Sequence, residues 1–351
     1  CKLKTVDFTK VSDIPDYLMG YSGLEDIQIP SNIVTIGEKA FYKLDSLKSV
    51  TISENNNLEN IGQYSFSSNP ELLSVSFGSS SNGVLCTIDD CAFFNCSKLA
   101  SISVSSESNL VYIGNEAFAK VATSEKELSA VRMGNVAFVI PSTVTYIGDY
   151  AFACIDAKLS SGSEPGCNML GYVNGSVSSN AGFTEICADD GSALISIGSN
   201  AFSSLSGVLK LDLSKCEKLE SLEKNAFKTG TIKEIILPDT GNLKRISSFS
   251  SIGETGSIES YVVPAYVEEV GNLSVFNSVS FAEGSKLRIF NPDDPEQHYT
   301  YDKSTGKYNF THTTDLSNCH MLQTVFCVGV MTLPPGVYGI DGVIYEVSNR
   351  E

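Results

Sequence analysis

One phrase recurs along this chain and restricts what it can fold into more than any other feature. It first reads Ile36-Gly37-Glu38-Lys39-Ala40-Phe41, and it returns as IGQYSF from Ile61, IDDCAF from Ile88, IGNEAF from Ile113, IGDYAF from Ile147, IGSNAF from Ile197 and LEKNAF from Leu222. Successive copies begin 25, 27, 25, 34, 50 and 25 residues apart. Weaker copies stand at Ile246 and Val270, each 24 residues on, and a degenerate one, IPDYLM, stands at Ile14, 22 before the first. A unit of that length cannot bury its own apolar residues. A period in the twenties marks a solenoid with one supersecondary unit per turn of chain.

A second signal lies between the phrases. It reads Leu24-Ile27-Ile29, Leu47-Val50-Ile52, Leu72-Val75-Phe77 and Leu99-Ile102-Val104, and later Val208-Leu211-Leu213, Ile232-Ile235-Leu237 and Ile258-Tyr261-Val263. The last two members of each triplet alternate with a polar or small residue, which predicts a short strand with one buried face. Pro30, Pro141, Pro238 and Pro264 follow such strands; proline lacks the N–H that would continue a ladder. Within the phrase, Ile ends an extended segment. Gly suits a bend because it tolerates positive φ and close backbone approach. Ala-Phe then returns to the interior through one helical or 3-10 turn. Phe41, Phe66, Phe93, Phe118, Phe152, Phe202 and Phe227 are expected to stack as a structural ladder, each ring buried by the coils above and below it.

The pattern I-G-x-x-A-F followed by L-x-x-I-x-I-P resembles the BspA-like leucine-rich repeats of bacterial surface proteins, with similar arrays in some parasitic protozoa. The resemblance covers residues 1–282. It implies a leucine-rich-repeat solenoid, a right-handed α/β-type coil stack with short parallel strands on one face and short strands and single helical or 3-10 turns elsewhere. It also implies adhesion to host proteins or other cells. The array over residues 1–282 is expected to hold about ten coils, with a length of roughly 50 Å at ~4.8 Å per coil. Its period is broken by a Gly-, Ser- and Asn-rich insertion at 155–193 and a shorter one near 119–135. Residues 283–320 form a further insertion, and 321–351 a C-terminal capping coil in which Ile340 takes the place of the phrase Ile with no Ala-Phe after it.

Composition narrows the partners. The 42% hydrophobic content supplies a large core, while a net charge of −17 repels nucleic acid and anionic lipid. No stretch approaches the ~20 apolar residues of a membrane helix. Cys1 has two readings. It is the lipid-bearing first residue of a lipoprotein, the one expected route to a membrane, or it belongs to a repeat cut open, since CKLKTV resembles CSKLASI from Cys96. The ten cysteines contain no C-x-x-C, and Cys86, Cys91 and Cys96 fit no zinc spacing. Cys167 with Cys187, and Cys319 with Cys327, are candidate disulfides. Asn95, Asn174, Asn272 and Asn309 open sequons that matter only in a eukaryotic source.

Candidate contact residues lie in two places. In HYTYDKSTGKYNFTH, Tyr299 and Tyr301, then Tyr308 and Phe310, flank a Lys-Ser-Thr-Gly turn, which predicts a β-hairpin. Its aromatics either grip an extracellular protein or a sugar face or cap the end of the solenoid. The strand face offers Asp26 and Gln28, Ser49 and Thr51, Ser74 and Ser76, Ser101 and Ser103, then Lys210 and Asp212, Glu234 and Ile236, Ser260 and Val262. Such small hydroxyls give little buried area for a tight hot spot and suit weak multivalent contact. His298, His312 and His320, near Asp315 and Cys319, match no metal motif, and NPDDPE from Asn291 is short of a calcium loop. There is no G-x-S-x-G, P-loop or HExxH, and no His along the array to act as a base. No catalytic, cofactor or metal residue is expected. The expected function is a non-enzymatic cell-surface or secreted interaction protein. The alternatives are a spacer holding another module away from the cell surface, and carbohydrate binding through 299–310.

Overall fold

The structure, a computed structural model, describes residues 3–80, 84, 86–99, 101–105, 107, 109–119, 136–153, 172–173, 176–177, 183–203, 208–228, 232–248, 258–273, 275–290, 299–302, 307–310, 313–322, 324–325 and 330–332. Each copy of the phrase contributes its Ile to one twelve-stranded sheet. The strands, in order, are Asp13–Ile14, Thr35–Ile36, Asn60–Ile61, Cys86–Ile88, Leu110–Ile113, Tyr146–Ile147, Ser196–Ile197, Ser221–Leu222, Arg245–Ser248, Glu269–Asn272, Ile289–Phe290 and Thr324–Val325. All neighbours are parallel, with one irregularity between Cys86 and Thr87, and Ile36, Ile61, Ile88, Ile113, Ile147 and Ile197 are partners in one column. The expected solenoid is present.

The triplets build the opposite face as three four-stranded parallel sheets. The first joins Asp26–Ile29, Ser49–Ile52, Ser74–Phe77 and Ser101–Val104. The second joins Val136–Ile140, Phe183–Ala188, Lys210–Asp212 and Glu234–Ile236. The third joins Ile258–Val263, Phe276–Phe281, Thr313–Asp315 and Val330–Thr332. The side chains between the two faces are the core. Leu24, Leu47, Leu72 and Leu99 are fully buried, as are Ile29, Ile36, Ile61 and Ile88. Each such side chain contributes about 1.5–3 kcal/mol by leaving water.

The seven phrase phenylalanines form one unbroken column. Ring centroids from Phe41 to Phe66, Phe93, Phe118, Phe152, Phe202 and Phe227 are spaced 4.9, 5.1, 5.0, 5.3, 5.1 and 5.2 Å, with planes within 15° of parallel. Neither the 34-residue nor the 50-residue interval interrupts it. Phe8 closes the first end, edge-on to Phe41 at 5.9 Å.

Two expectations about the phrase need correction. Among the described residues there is no helix or 3-10 segment at Ala-Phe. The chain turns instead by single bonds, such as Ala40 N–H to Gly37 O at 3.3 Å and Tyr42 N–H to Lys39 O at 3.2 Å. A helix cannot start because the residue before Ala sits at positive φ: Lys39 at 51°, Tyr64 at 55°, Glu116 at 53° and Tyr150 at 55°. The phrase Gly, in turn, is not the residue at positive φ. It is there for close approach alone. A Cβ on Gly114 would lie 2.6 Å from Asp90 N and 2.7 Å from Asp90 Oδ1, and one on Gly148 would lie 2.6 Å from Asn115 N and 2.8 Å from Asn115 Oδ1.

The backbone explains how the left-handed residues are held. In each coil the N–H after the Ile reaches back one coil, as from Gly148 to Ile113 O at 2.7 Å. The N–H groups at the left-handed residue and at Phe reach forward, as from Tyr150 to Ser199 O at 2.9 Å and from Phe152 to Ala201 O at 2.8 Å. The positive φ turns these donors toward the next coil. The cost of that backbone strain, about 1 kcal/mol per residue, is offset by hydrogen bonds that a buried turn would otherwise leave unmade.

The boundaries differ from those expected. Ten rungs run to Glu269–Asn272, in agreement with the phrase count, but the ladder continues past residue 282 through Ile289–Phe290 and Thr324–Val325. The segment expected as an insertion therefore supplies Ile289–Phe290 and Thr313–Asp315 to the sheets of the array, and it holds a hairpin, Tyr299–Asp302 against Lys307–Phe310. Leu287, Phe290, Leu316 and Cys319 are its buried residues. Likewise 183–193 belongs to the array and not to the insertion: Phe183–Ala188 pairs with Val136–Ile140, and Ile186 and Leu194 are buried. A short antiparallel pair, Tyr172–Val173 with Ser176–Val177, lies within the remaining excursion. Cys1, Cys167, Asn174, NPDDPE from Asn291, His298, His312, Cys327 and the segment from Leu333 lie outside the described residues.

Candidate interaction surfaces

A solenoid repeats its exposed positions as well as its core, so every outward column of side chains is a candidate surface. On the first short sheet the columns are short and polar, and they bond to one another. Ser49 Oγ donates to Asp26 Oδ1 at 2.5 Å, and Glu25 accepts from Lys48 at 2.9 Å. On the second sheet Lys210 lies between Glu185 at 2.9 Å and Asp212 at 3.0 Å. Burial raises the Asp212 pKa, but the hydrogen bonds from Ser214 and Lys210 outweigh it and hold the carboxyl below its usual value. These groups satisfy each other along the face.

The hairpin pairs Tyr299 with Phe310 and Tyr301 with Tyr308 in backbone register; its side chains lie outside the described residues. His320 is exposed. No group of three or more His, Cys, Asp and Glu that could hold a metal ion occurs among the described residues. The thiols of Cys187 and Cys319 are free. Burial pushes Cys86 and Cys96 up to about 12 and Cys216 and Cys319 up to about 11, so none of these sulfurs is an activated nucleophile.

The turn edge of the first coils carries a cluster that reading the strands alone misses. The left-handed residues of three successive coils are Tyr17, Lys39 and Tyr64. Lys39 Nζ lies 5.2 Å from both ring centroids, donates to Glu38 Oε1 at 2.6 Å and lies 3.2 Å from the Tyr17 hydroxyl. That hydroxyl in turn donates to Glu38 at 2.8 Å. Four residues further along the turn, Tyr21 meets Tyr42 edge-on at 6.3 Å, and Lys43 Nζ lies 5.2 Å from the Tyr42 ring. Tyr17 and Tyr21 are 59% and 68% exposed with Leu18 between them at 43%. The rings are ordered by their neighbours and wet on one side, the condition in which tyrosine loses little entropy on contact. The signal in the sequence was Tyr at a variable place of the phrase, in IPDYLM and IGQYSF.

The long sheet has its own outward column, formed by the residue before each Ile. Thr35 Oγ1 donates to Asp13 at 2.7 Å, Asn60 donates to Thr87 at 3.0 Å, and the hydroxyls of Ser196 and Ser221 are 3.0 Å apart. Between these polar pairs the column holds Tyr112 and Tyr146, stacked at 5.3 Å with planes 10° apart.

A model of one repeat family, described as BspA type Leucine rich repeat region, matches this sequence in six copies over residues 12–153 and 177–283. No curated protein matches the sequence. Among solved structures, the chain is similar to a leucine-rich repeat protein from Bacteroides ovatus ATCC 8483, at 18% identity and a TM-score of 0.44, covering 87% of this chain and 57% of that one. It is also similar to the pneumococcal vaccine antigen PcpA, at 20% identity and a TM-score of 0.37, covering 89% and 79%. A third is a leucine rich cell surface protein from Faecalibacterium prausnitzii A2-165, at 17% identity and a TM-score of 0.22, covering 82% and 84%.

Proposed function

Because this chain belongs to the BspA-type leucine-rich repeat family, we propose that it is a non-enzymatic interaction protein, exposed at the cell surface or secreted, that adheres to an extracellular protein or glycan. The repeat scaffold suits that task, since it holds side chains in fixed columns over a long face. The observation that carries the reading is the open tyrosine cluster of Tyr17, Tyr21, Tyr42 and Tyr64. Tyr17 and Tyr21 remain more than half in water beside the half-buried Tyr42 and Tyr64, and ordered aromatics of this kind anchor interfaces. Among the described residues no helix is long and apolar enough to cross a membrane.

The test is retention of the protein on immobilised extracellular matrix proteins and on a glycan array at physiological salt. The expected result is binding at micromolar protein that falls about tenfold or more in Tyr17→Ser/Tyr21→Ser. No retention on any surface, or retention unchanged by the pair of substitutions, contradicts the reading. The hairpin is a second contact candidate. If it grips sugars, glycan binding is lost in Tyr299→Ala/Tyr301→Ala/Tyr308→Ala and kept in the Tyr17/Tyr21 variant.

A further inference from the structure

The tyrosine pair on the long sheet is set apart from the turn-edge cluster by its surroundings. Tyr112 and Tyr146 are backbone partners in adjacent strands, and their other partners in the column are the small Thr87 and Ser196. The stack therefore stands as two aromatic faces between low neighbours, both rings half-buried and open to water. The titratable groups that act on it are acids, and the nearest cation of the column, Arg245 beside Ser221, is already paired with Glu223. Asp89 and Asp90 follow the Thr87 strand, Asp149 follows the Tyr146 strand, and Glu223 follows Ser221–Leu222. Asp90 and Asp149 act on both phenols, Asp89 on Tyr112 and Glu223 on Tyr146. Together with the larger effect of partial burial they raise both hydroxyls above the usual tyrosine range.

The charge of the coils leading up to this pair is uneven. Between residues 49 and 119 the sequence holds Glu54, Glu59, Glu71, Asp89, Asp90, Glu107 and Glu116 against a single basic residue, Lys98. Lys98 is paired with Glu71 at 2.6 Å. At the turn-edge cluster, by contrast, Lys39 and Lys43 already lie against the rings of Tyr17, Tyr64 and Tyr42. The same kind of ring is thus met by the chain's own cations at one place and by carboxylates at the other.

We propose that the column centred on Tyr112 and Tyr146, flanked by Asp89, Asp90, Asp149 and Glu223, is a second docking surface, and that its occupant is an extended basic protein segment. The guanidinium of an arginine matches both features at once. Its plane stacks on a tyrosine ring and its N–H fork reaches a neighbouring carboxylate. The parallel strands repeat at ~4.8 Å, so the carboxylates of alternate coils, Asp89 and Asp90, then Asp149, then Glu223, recur along this edge and favour a partner with several cations in sequence over a single charge. The net charge of −17 adds steering toward such a partner.

This proposal rests on the Tyr112–Tyr146 surface alone and is separable from the turn-edge cluster. The probe is a fluorescently labelled peptide of alternating arginine and serine, followed by anisotropy at low and physiological salt. The expected result is binding that weakens as salt rises, falls about tenfold in Tyr112→Ser/Tyr146→Ser, and is kept in Tyr112→Phe/Tyr146→Phe. It is unchanged in Tyr17→Ser/Tyr21→Ser. Thermal melts of the Ser variant, compared with the Phe variant, establish that the column has folded. Peptide binding equal in the Ser variant and the parent would show attraction to net charge alone and overturn the proposal. So would absence of binding to the parent at low salt.

Discussion

At the third place of the phrase an Asp or Asn side chain ties its coil to the next. Asp16 Oδ1 accepts from Glu38 N–H at 2.7 Å, Asp90 from Asn115 at 2.7 Å, Asn115 from Asp149 at 2.8 Å and Asp149 from Ser199 at 2.6 Å. The Gly one place earlier in the receiving coil leaves the room that this carboxyl or amide occupies. Two copies of the phrase lack that Gly, at Asp89 and Glu223, and each follows a coil whose third residue is neither Asp nor Asn but Gln63 or Ser199. The backbone bond to the preceding coil is kept at both, 2.9 and 3.0 Å against 2.7–2.8 Å at the phrase glycines. Gly148→Ala should therefore destabilise by about 2 kcal/mol or more, measured by chemical denaturation. Ser65 provides the opposite case. It occupies the Ala place of the phrase, is fully buried, and its hydroxyl has no hydrogen-bond partner. Ser65→Ala should stabilise by about 1 kcal/mol, read in the same experiment. Ile, Ala and Phe were legible in the phrase because burial selects residue type. The left-handed position was not, because Lys39, Tyr64 and Glu116 carry none of the usual preference for that conformation; inter-coil hydrogen bonds hold them there.

The coil is the element here, and its interior is completed only by its neighbours. Phe118 lies between Phe93 at 5.0 Å and Phe152 at 5.3 Å, each ring covering one face of the next. Phe118→Ala should cost about 3–5 kcal/mol, and its unfolding should lose the single sharp transition, because a weakened interface uncouples the coils on either side. Cys96 fills the adjoining interior, where its thiol donates to Phe66 O at 3.2 Å. Burial holds its pKa near 12 against 9.0 for a free thiol. A raised folded-state pKa gives stability that is complete below pH 9 and is lost as pH climbs toward 12, since the unfolded chain releases a proton that the folded chain keeps. Cys96→Ala should flatten the decline of stability across that window, seen as a smaller fall in denaturation midpoint from pH 9 to pH 11. The strands of the triplets were readable from their alternation. Val136–Ile140 and Phe183–Ala188 escaped because long irregular stretches stand before each, so the period no longer predicted where a strand should fall.

Across the whole molecule the two faces differ in continuity. The phrase side is one sheet of twelve strands, while the triplet side divides into three sheets of four. The first division falls between Ser101–Val104 and Val136–Ile140, across the 119–135 excursion. The second falls between Glu234–Ile236 and Ile258–Val263. The longest excursion, before Phe183–Ala188, divides neither face, since that strand pairs directly with Val136–Ile140, and the Ile and Phe columns pass both excursions unbroken. That asymmetry also places the two surfaces argued above on the continuous, phrase-bearing side, where spacing from coil to coil is regular. Their aromatic residues could not be singled out from sequence, because fifteen tyrosines in the chain look alike until the turn geometry shows which meet.

Native-state hydrogen exchange on the parent and on Phe118→Ala tests most directly whether coils survive only through one another. The amides to follow are those of Phe66, Phe93, Phe152, Phe202 and Phe227. Loss of protection should be largest at Phe93 and Phe152 and should decline outward coil by coil, with Phe227 affected least. Loss confined to the substituted coil, with Phe93 and Phe152 as protected as in the parent, would show that each turn carries its own core and would contradict the account.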